Sequence, residues 1–157
     1  MKFKGLILGL AAFVVMTSGL VALGARPANA AVLSTTCPGA GYSYVGSYGI
    51  YSSMLKNART GTLGVYYKSS TGKNCAQATC GSGYCDTMYR SVAIKPHGKS
   101  TWDSVDAGNY TSYAGGVTTT YSTAGKCIDV YARFAEQGDV SGTALYGTVS
   151  KQGVFCG

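Results

Sequence analysis

The sequence predicts a single all-β domain, a small antiparallel sandwich or barrel stapled by disulfides. Tyr, Val and Thr are frequent, and 13 Tyr with 23 Gly give the composition of half-buried pleats broken by turns. No dozen-residue stretch beyond residue 30 carries an apolar stripe at helical spacing. All six cysteines lie downstream of a secretory leader, where thiols are oxidised and an even count implies pairing.

The leader comes first. Lys2 and Lys4 form a positive start, residues 5–23 an apolar run, and Ala28-Asn29-Ala30 a small-residue cleavage site. The run exceeds the usual h-region of about 7–15 residues and approaches the roughly 20 of a spanning helix. Gly9, Thr17, Ser18, Gly19 and Gly24, followed by Pro27, favour cleavage over retention as an anchor. Ser34-Thr35-Thr36 before Cys37 lacks the apolar residue of a lipoprotein signal. The expected organisation is a signal peptide over residues 1–30 and a secreted β-domain over 31–157, free of the membrane after cleavage.

Of the 13 Lys and Arg residues, Lys2, Lys4 and Arg26 fall in the leader, so the exported part is only mildly basic. Its bases are spread singly, and no run of four or more marks a nucleic-acid or lipid-binding patch.

Strands are expected over residues 42–51, 61–68, 74–80, 88–95, 110–122, 126–135 and 143–150. Turn residues separate them: Ser70-Thr71-Gly72-Lys73, Pro96-His97-Gly98, Ala107-Gly108-Asn109, Ala124-Gly125 and Gln137-Gly138-Asp139. Residues 54–59 fit one helical turn, stopped by Gly61. Alternation puts Val92 with Ile94, Val65 with Tyr67, and Ile128 with Val130 and Ala132 on shared faces. Trp102 is expected to be a buried plug.

Six cysteines allow 15 pairings. Cys80-Gly81-Ser82-Gly83-Tyr84-Cys85 has two glycines that let the backbone bend, and is expected to close on itself. The other four are expected as Cys37–Cys75 and Cys127–Cys156, with Cys37–Cys156 and Cys75–Cys127 as the rival. In the chain-entropy account a six-residue loop contributes about 2 kcal/mol and a thirty-residue loop about 3.5, so the wider bridges carry more stability. Cys75, Cys80 and Cys85 stand five apart with one histidine in the chain, which is poor spacing for zinc.

No catalytic motif appears. His97 sits in a turn between Lys95 and Lys99, where a solvated side chain is expected. Asp86, Asp103, Asp106, Asp129, Glu136 and Asp139 show no spacing that nominates an acid–base pair, and Asp103 with Asp106 reads as loop chemistry. No catalytic residue, metal or cofactor is expected. Tyr42, Tyr44 and Tyr48 fall on one face of a strand if no bulge intervenes. With Tyr84 in the Cys80–Cys85 loop they form the candidate binding surface.

The order Cys37-Pro38-Gly39-Ala40-Gly41-Tyr42, Gly72-Lys73-Asn74-Cys75-Ala76, Asp106-x-Gly108-Asn109-Tyr110-x-x-Tyr113-Ala114-Gly115, Gly125-Lys126-Cys127-Ile128 and Cys156-Gly157 resembles the spore-associated protein A family of secreted actinobacterial proteins. The resemblance implies export, association with spores or aerial growth, and no established enzymatic activity or cofactor. The chain departs from the family's tighter Cys-Gly-x-Gly-Tyr opening and has Gly116 where a proline stands; the Cys80–Cys85 segment looks like an addition. The expected function is a non-enzymatic structural or interaction protein of the cell or spore surface, with cell-wall or spore-surface components or another secreted protein as partner. The alternative is a secreted module that binds cell-wall glycan or inhibits a protease through its Tyr-rich strands and the Cys80–Cys85 loop.

Overall fold

In the structure, a computed structural model, the described residues are Cys37, 41–136 and 145–157. The leader over residues 1–30 and the turn at Gln137-Gly138-Asp139 lie outside them. Eight strands follow one another: β1 (Ser43–Ser52), β2 (Ala58–Lys68), β3 (Lys73–Cys80), β4 (Met88–Pro96), β5 (Ser104–Tyr110), β6 (Tyr113–Thr118), β7 (Ile128–Ala135) and β8 (Leu145–Val154). They form one antiparallel sheet in the order β5-β4-β7-β8-β1-β2-β3-β6, curled into a nearly closed barrel.

Two local expectations change. The stretch read as one strand over 110–122 breaks at Thr111–Ser112, and a further strand, β5, runs over residues read as loop and turn. Its register with β4, from Met88↔Tyr110 to Ile94↔Ser104, supplies the pairing that Asp, Gly and Asn do not signal locally. Residues 54–59 make no helical turn. Lys56 and Asn57 take left-handed φ of 52° and 60°, which reverses the chain directly into β2.

Alternation fills the barrel as expected. Val92 and Ile94, Ile128, Val130 and Ala132, and Val65 are fully buried, while Tyr67 stays half-buried at the barrel mouth. Small residues face large ones. The Phe134 ring lies where a Cβ on Gly61 would be, 2.4 Å from its nearest ring carbon.

β5 and β6 are the two edges of the sheet and share no ladder. Asp106 of β5 spans the seam, its carboxylate accepting the Gly115 N–H of β6 at 2.7 Å and the Tyr110 hydroxyl at 2.5 Å. Asp103 closes the same seam beyond the strand ends, accepting the Thr120 N–H at 2.8 Å. Gly115 itself has φ +119°, and a Cβ there would stand 2.8–2.9 Å from Ala76 O, Gln77 Cα and a Val92 methyl.

The bridges formed are Cys37–Cys75, Cys80–Cys85 and Cys127–Cys156, with no free cysteine among the described residues. The strand register places the two wide bridges at one end of the barrel, here the tail end. Cys80–Cys85 closes a short loop at the other, the clip end.

Gly115→Ala is expected to cost about 2–4 kcal/mol in urea unfolding, since it adds both backbone strain and overpacking at the seam. Gly98→Ala, at φ +83° with nothing within 4 Å, is expected to cost only about 1 kcal/mol. Equal losses would show that the seam is not a tight site.

Candidate functional site

The outer face of β1, β2 and β3 carries three cross-strand rows: Tyr44–Tyr66, Ser47–Gly64–Gln77 and Gly49–Thr62–Thr79. All of these except Gly49 line a shallow groove of about 280 Å3. One wall is aromatic. Tyr44 meets Tyr66 edge to face at 5.8 Å between centroids, and Tyr66 lies over Gly64, whose missing Cβ makes room for the ring.

The polar groups of the groove are held in fixed directions. Tyr44 donates its hydroxyl to Ser47 Oγ at 2.8 Å, and Arg59 donates to Thr62 Oγ1 at 2.9 Å. Each acceptor hydroxyl therefore keeps its own proton to donate. Beyond the groove the Tyr51 ring folds back over Gly49 and is 51% exposed, giving a second flat aromatic surface on the same strand.

The expected tyrosine face is corrected by a bulge. Tyr44 pairs with Tyr66 and Gly46 with Val65, so Val45 is an extra residue that inverts the alternation. Tyr44, 45% exposed, stays outside. Tyr48 turns toward the core, packs on Phe155 at 5.6 Å and lies beneath the Lys151 ammonium at 5.3 Å. Tyr42 precedes β1 and is 5% exposed among Cys37, Tyr66 and Cys75, where burial raises its hydroxyl pKa. Tyr84 stands at the clip end, apart from the other three. Of the four residues, only Tyr44 belongs to the groove; Tyr66, which also lines it, and Tyr51, just beyond it, were missed. The overlooked signal is Gly-x-Tyr. It occurs four times: at Gly49-Ile50-Tyr51, Gly64-Val65-Tyr66 and Gly108-Asn109-Tyr110 the ring packs on the glycine two residues earlier, whereas at Gly46-Ser47-Tyr48 the Phe155 ring takes the place beside the glycine.

The clip loop is anchored. Arg90, fully buried on β4, donates to the carbonyls of Tyr84 and Asp86 at 3.0 Å each and to that of Tyr110. Its guanidinium lies 5.1 Å from the Phe134 ring centroid, and its Nε has no hydrogen-bond partner. Burial lowers the Arg90 pKa, an effect that Asp86 opposes. A cavity of about 200 Å3 beside the loop is lined by Tyr84, Asp86, Met88, Glu136 and Tyr146, so two carboxylates share it.

Trp102 is not a buried plug. The interior is already filled by the inward rows of β4 and β7, and Trp102, 40% exposed, lies outside against Tyr131 with the Lys95 ammonium 5.1 Å from its ring. His97 is half-exposed as expected, but not free. Its Nδ1 meets the Asp129 carboxylate at 2.7 Å, with Lys95 at 3.6 Å and the Gly153 N–H donating at 2.9 Å. Burial opposes the charge on Asp129, but the Gly153 N–H, His97 and Lys95 outweigh it and hold the carboxyl below its ordinary range. Asp103 is lowered in the same way, its burial outweighed by Lys99 and Thr120. At the tail end, Val45, Tyr67, Asn74, Thr123 and Phe155 line a further cavity of about 330 Å3. Among the described residues no cluster of three or more His, Cys, Asp or Glu is placed to hold a metal.

No family model, curated protein or solved structure matches the chain. Fold and face together describe a disulfide-stapled antiparallel barrel with a polar, aromatic-walled groove on one side.

Two outcomes are expected. Arg90→Met leaves three carbonyls without their donor, so it should destabilise by about 2–4 kcal/mol and raise amide exchange over residues 81–87. Unchanged exchange there would show that the disulfide alone fixes the loop. Because the Asp129 pKa is depressed on folding, its stabilisation is present above the ordinary value of 3.8 and is lost as pH falls through the folded value. Asp129→Asn is therefore expected to lower stability at neutral pH and flatten the acid limb of a stability–pH profile. An unaltered acid limb would remove Asp129 from that account.

Proposed function

We propose that this chain is a secreted, non-enzymatic structural or interaction protein of the cell or spore surface. The observation that carries the reading is the set of three disulfides on a nearly closed barrel, a scaffold suited to an oxidising exterior. No helix among the described residues is long and apolar enough to cross a membrane, and the apolar cluster fills the inside of the barrel. The family resemblance adds the spore surface as a place of action.

The alternative, a secreted binding module, is favoured by the groove on β1–β3. Its protease-inhibitor form has less support, because Arg90 ties down the Tyr84 and Asp86 carbonyls that an inhibitory loop would present to an enzyme.

Fractionation of the producing organism into cytosol, surface extract and medium tests the reading. The chain is expected in surface extract or medium, shortened at its N-terminus and with three bridges by non-reducing mass spectrometry. Recovery in the cytosol alone, or six free thiols, would overturn it.

A further inference from the structure

We infer that the groove on β1–β3 is a saccharide-binding site for a neutral glycan built of pyranose rings with equatorial substituents. The inference rests on the extracellular reading above and gives that surface a ligand. Ser47, Thr62, Thr79 and Gln77 supply the polar atoms of the groove, and none is ionisable. The one cation beside them, Arg59, is engaged with Thr62 Oγ1 and the Gly61 carbonyl. A phosphorylated or acidic polymer would find no free counter-charge in the groove.

Shape comes next. A pyranose ring with equatorial hydroxyls has an apolar C–H face and a polar rim, so it needs a flat ring beneath and donors and acceptors around. The exposed Tyr44 ring, backed edge to face by the buried Tyr66, supplies an aromatic wall at one end of the groove. Tyr51, folded onto Gly49 just beyond the groove, supplies a second flat surface on the same strand. From Tyr44 to Gly49, which carries the Tyr51 ring, the strand advances about four steps once the Val45 bulge is discounted, roughly 13 Å at the usual rise. That length suits an extended oligosaccharide laid along the strands better than a single ring.

Direction completes the fit. Ser47 and Thr62 accept internal hydrogen bonds, so their oxygens are held in place and each hydroxyl keeps its proton to donate to a ligand. The side-chain order of a sugar-binding face is thereby set in advance, and little freedom is lost on binding. A peptide strand would instead seek unpaired backbone groups, but β2 is an interior strand, paired on both sides.

The test uses the oxidised domain, sedimented with insoluble β-1,4-glucan, with chitin, and with peptidoglycan stripped of anionic polymers. The three arms separate the sources of the same ring chemistry. Retention on at least one is expected, little affected by salt. Tyr44→Ala should weaken it about tenfold, the loss typical of one aromatic anchor, and Thr62→Val several-fold with no change in thermal midpoint. Tyr121→Ala, at an exposed ring outside the groove, should leave retention unchanged. No retention on any arm, retention abolished by moderate salt, or retention indifferent to both groove variants would overturn the inference. Surface recovery in the fractionation without glycan retention would sink the saccharide site alone; recovery only in the cytosol would sink the extracellular reading.

Discussion

An eight-stranded sheet ends in two edges, and the barrel encloses a core only if its edge strands β5 and β6 are held against each other. No ladder joins them. Two carboxylates take the place of carbonyls, Asp106 receiving the Gly115 N–H and Asp103 that of Thr120. An edge N–H left unpaired there would cost roughly what a lost hydrogen bond costs, and an open edge would invite pairing with other chains. The substitution also constrains its surroundings. Asp106 holds the Tyr110 hydroxyl so firmly that this hydrogen bond, with burial, pushes the Tyr110 pKa up to about 12. Gly115 must remain without a side chain so that β6 can press against β3 and Val92.

The groove is a second product of missing side chains. On a pleated strand residues i and i+2 share a face, so a tyrosine two places after a glycine finds bare backbone beside it. Tyr51 and Tyr66 lie down on that backbone instead of projecting from it, Tyr51 as an exposed ring and Tyr66 as a buried one that backs the groove. The bulge at Val45 then decides which tyrosines take part. It keeps Tyr44 outside with Tyr66 and sends Tyr48 inward to Phe155. One inserted residue thus divides the aromatic strip between core and surface.

Much of this architecture was legible in the residues. Alternation identified the inward rows of β4 and β7, and turn residues bounded most strands, because both signals are local. β5 was not legible, since Ser104–Tyr110 carries Asp, Gly and Asn that favour turns and is held extended by its partner β4. The Val45 bulge was not legible either, because a two-residue alternation reads the same until a partner strand fixes the register. Arg90 resembled any surface base; only the fold shows it buried beneath the clip loop, where three carbonyls wait for a donor. The candidate site was legible in kind more than in membership. Tyrosines on strands were the right chemistry, but of the two rings that line the groove the Tyr42–Tyr48 cluster marked only Tyr44, and Tyr66 stood behind a Gly-x-Tyr spacing that also marks rings elsewhere.

The positions of the two wide bridges have a mechanical consequence. Tension applied upstream of Cys37 and downstream of Cys156 enters the barrel at Cys75 and Cys127, through sulfur. The segments between each bonded pair, which contain β1, β2, β7 and β8, lie off the line of pull. If such a molecule is stretched between an anchor and a moving surface, β3 to β6 take the strain, while the two strands that form most of the groove stay slack and keep their shape.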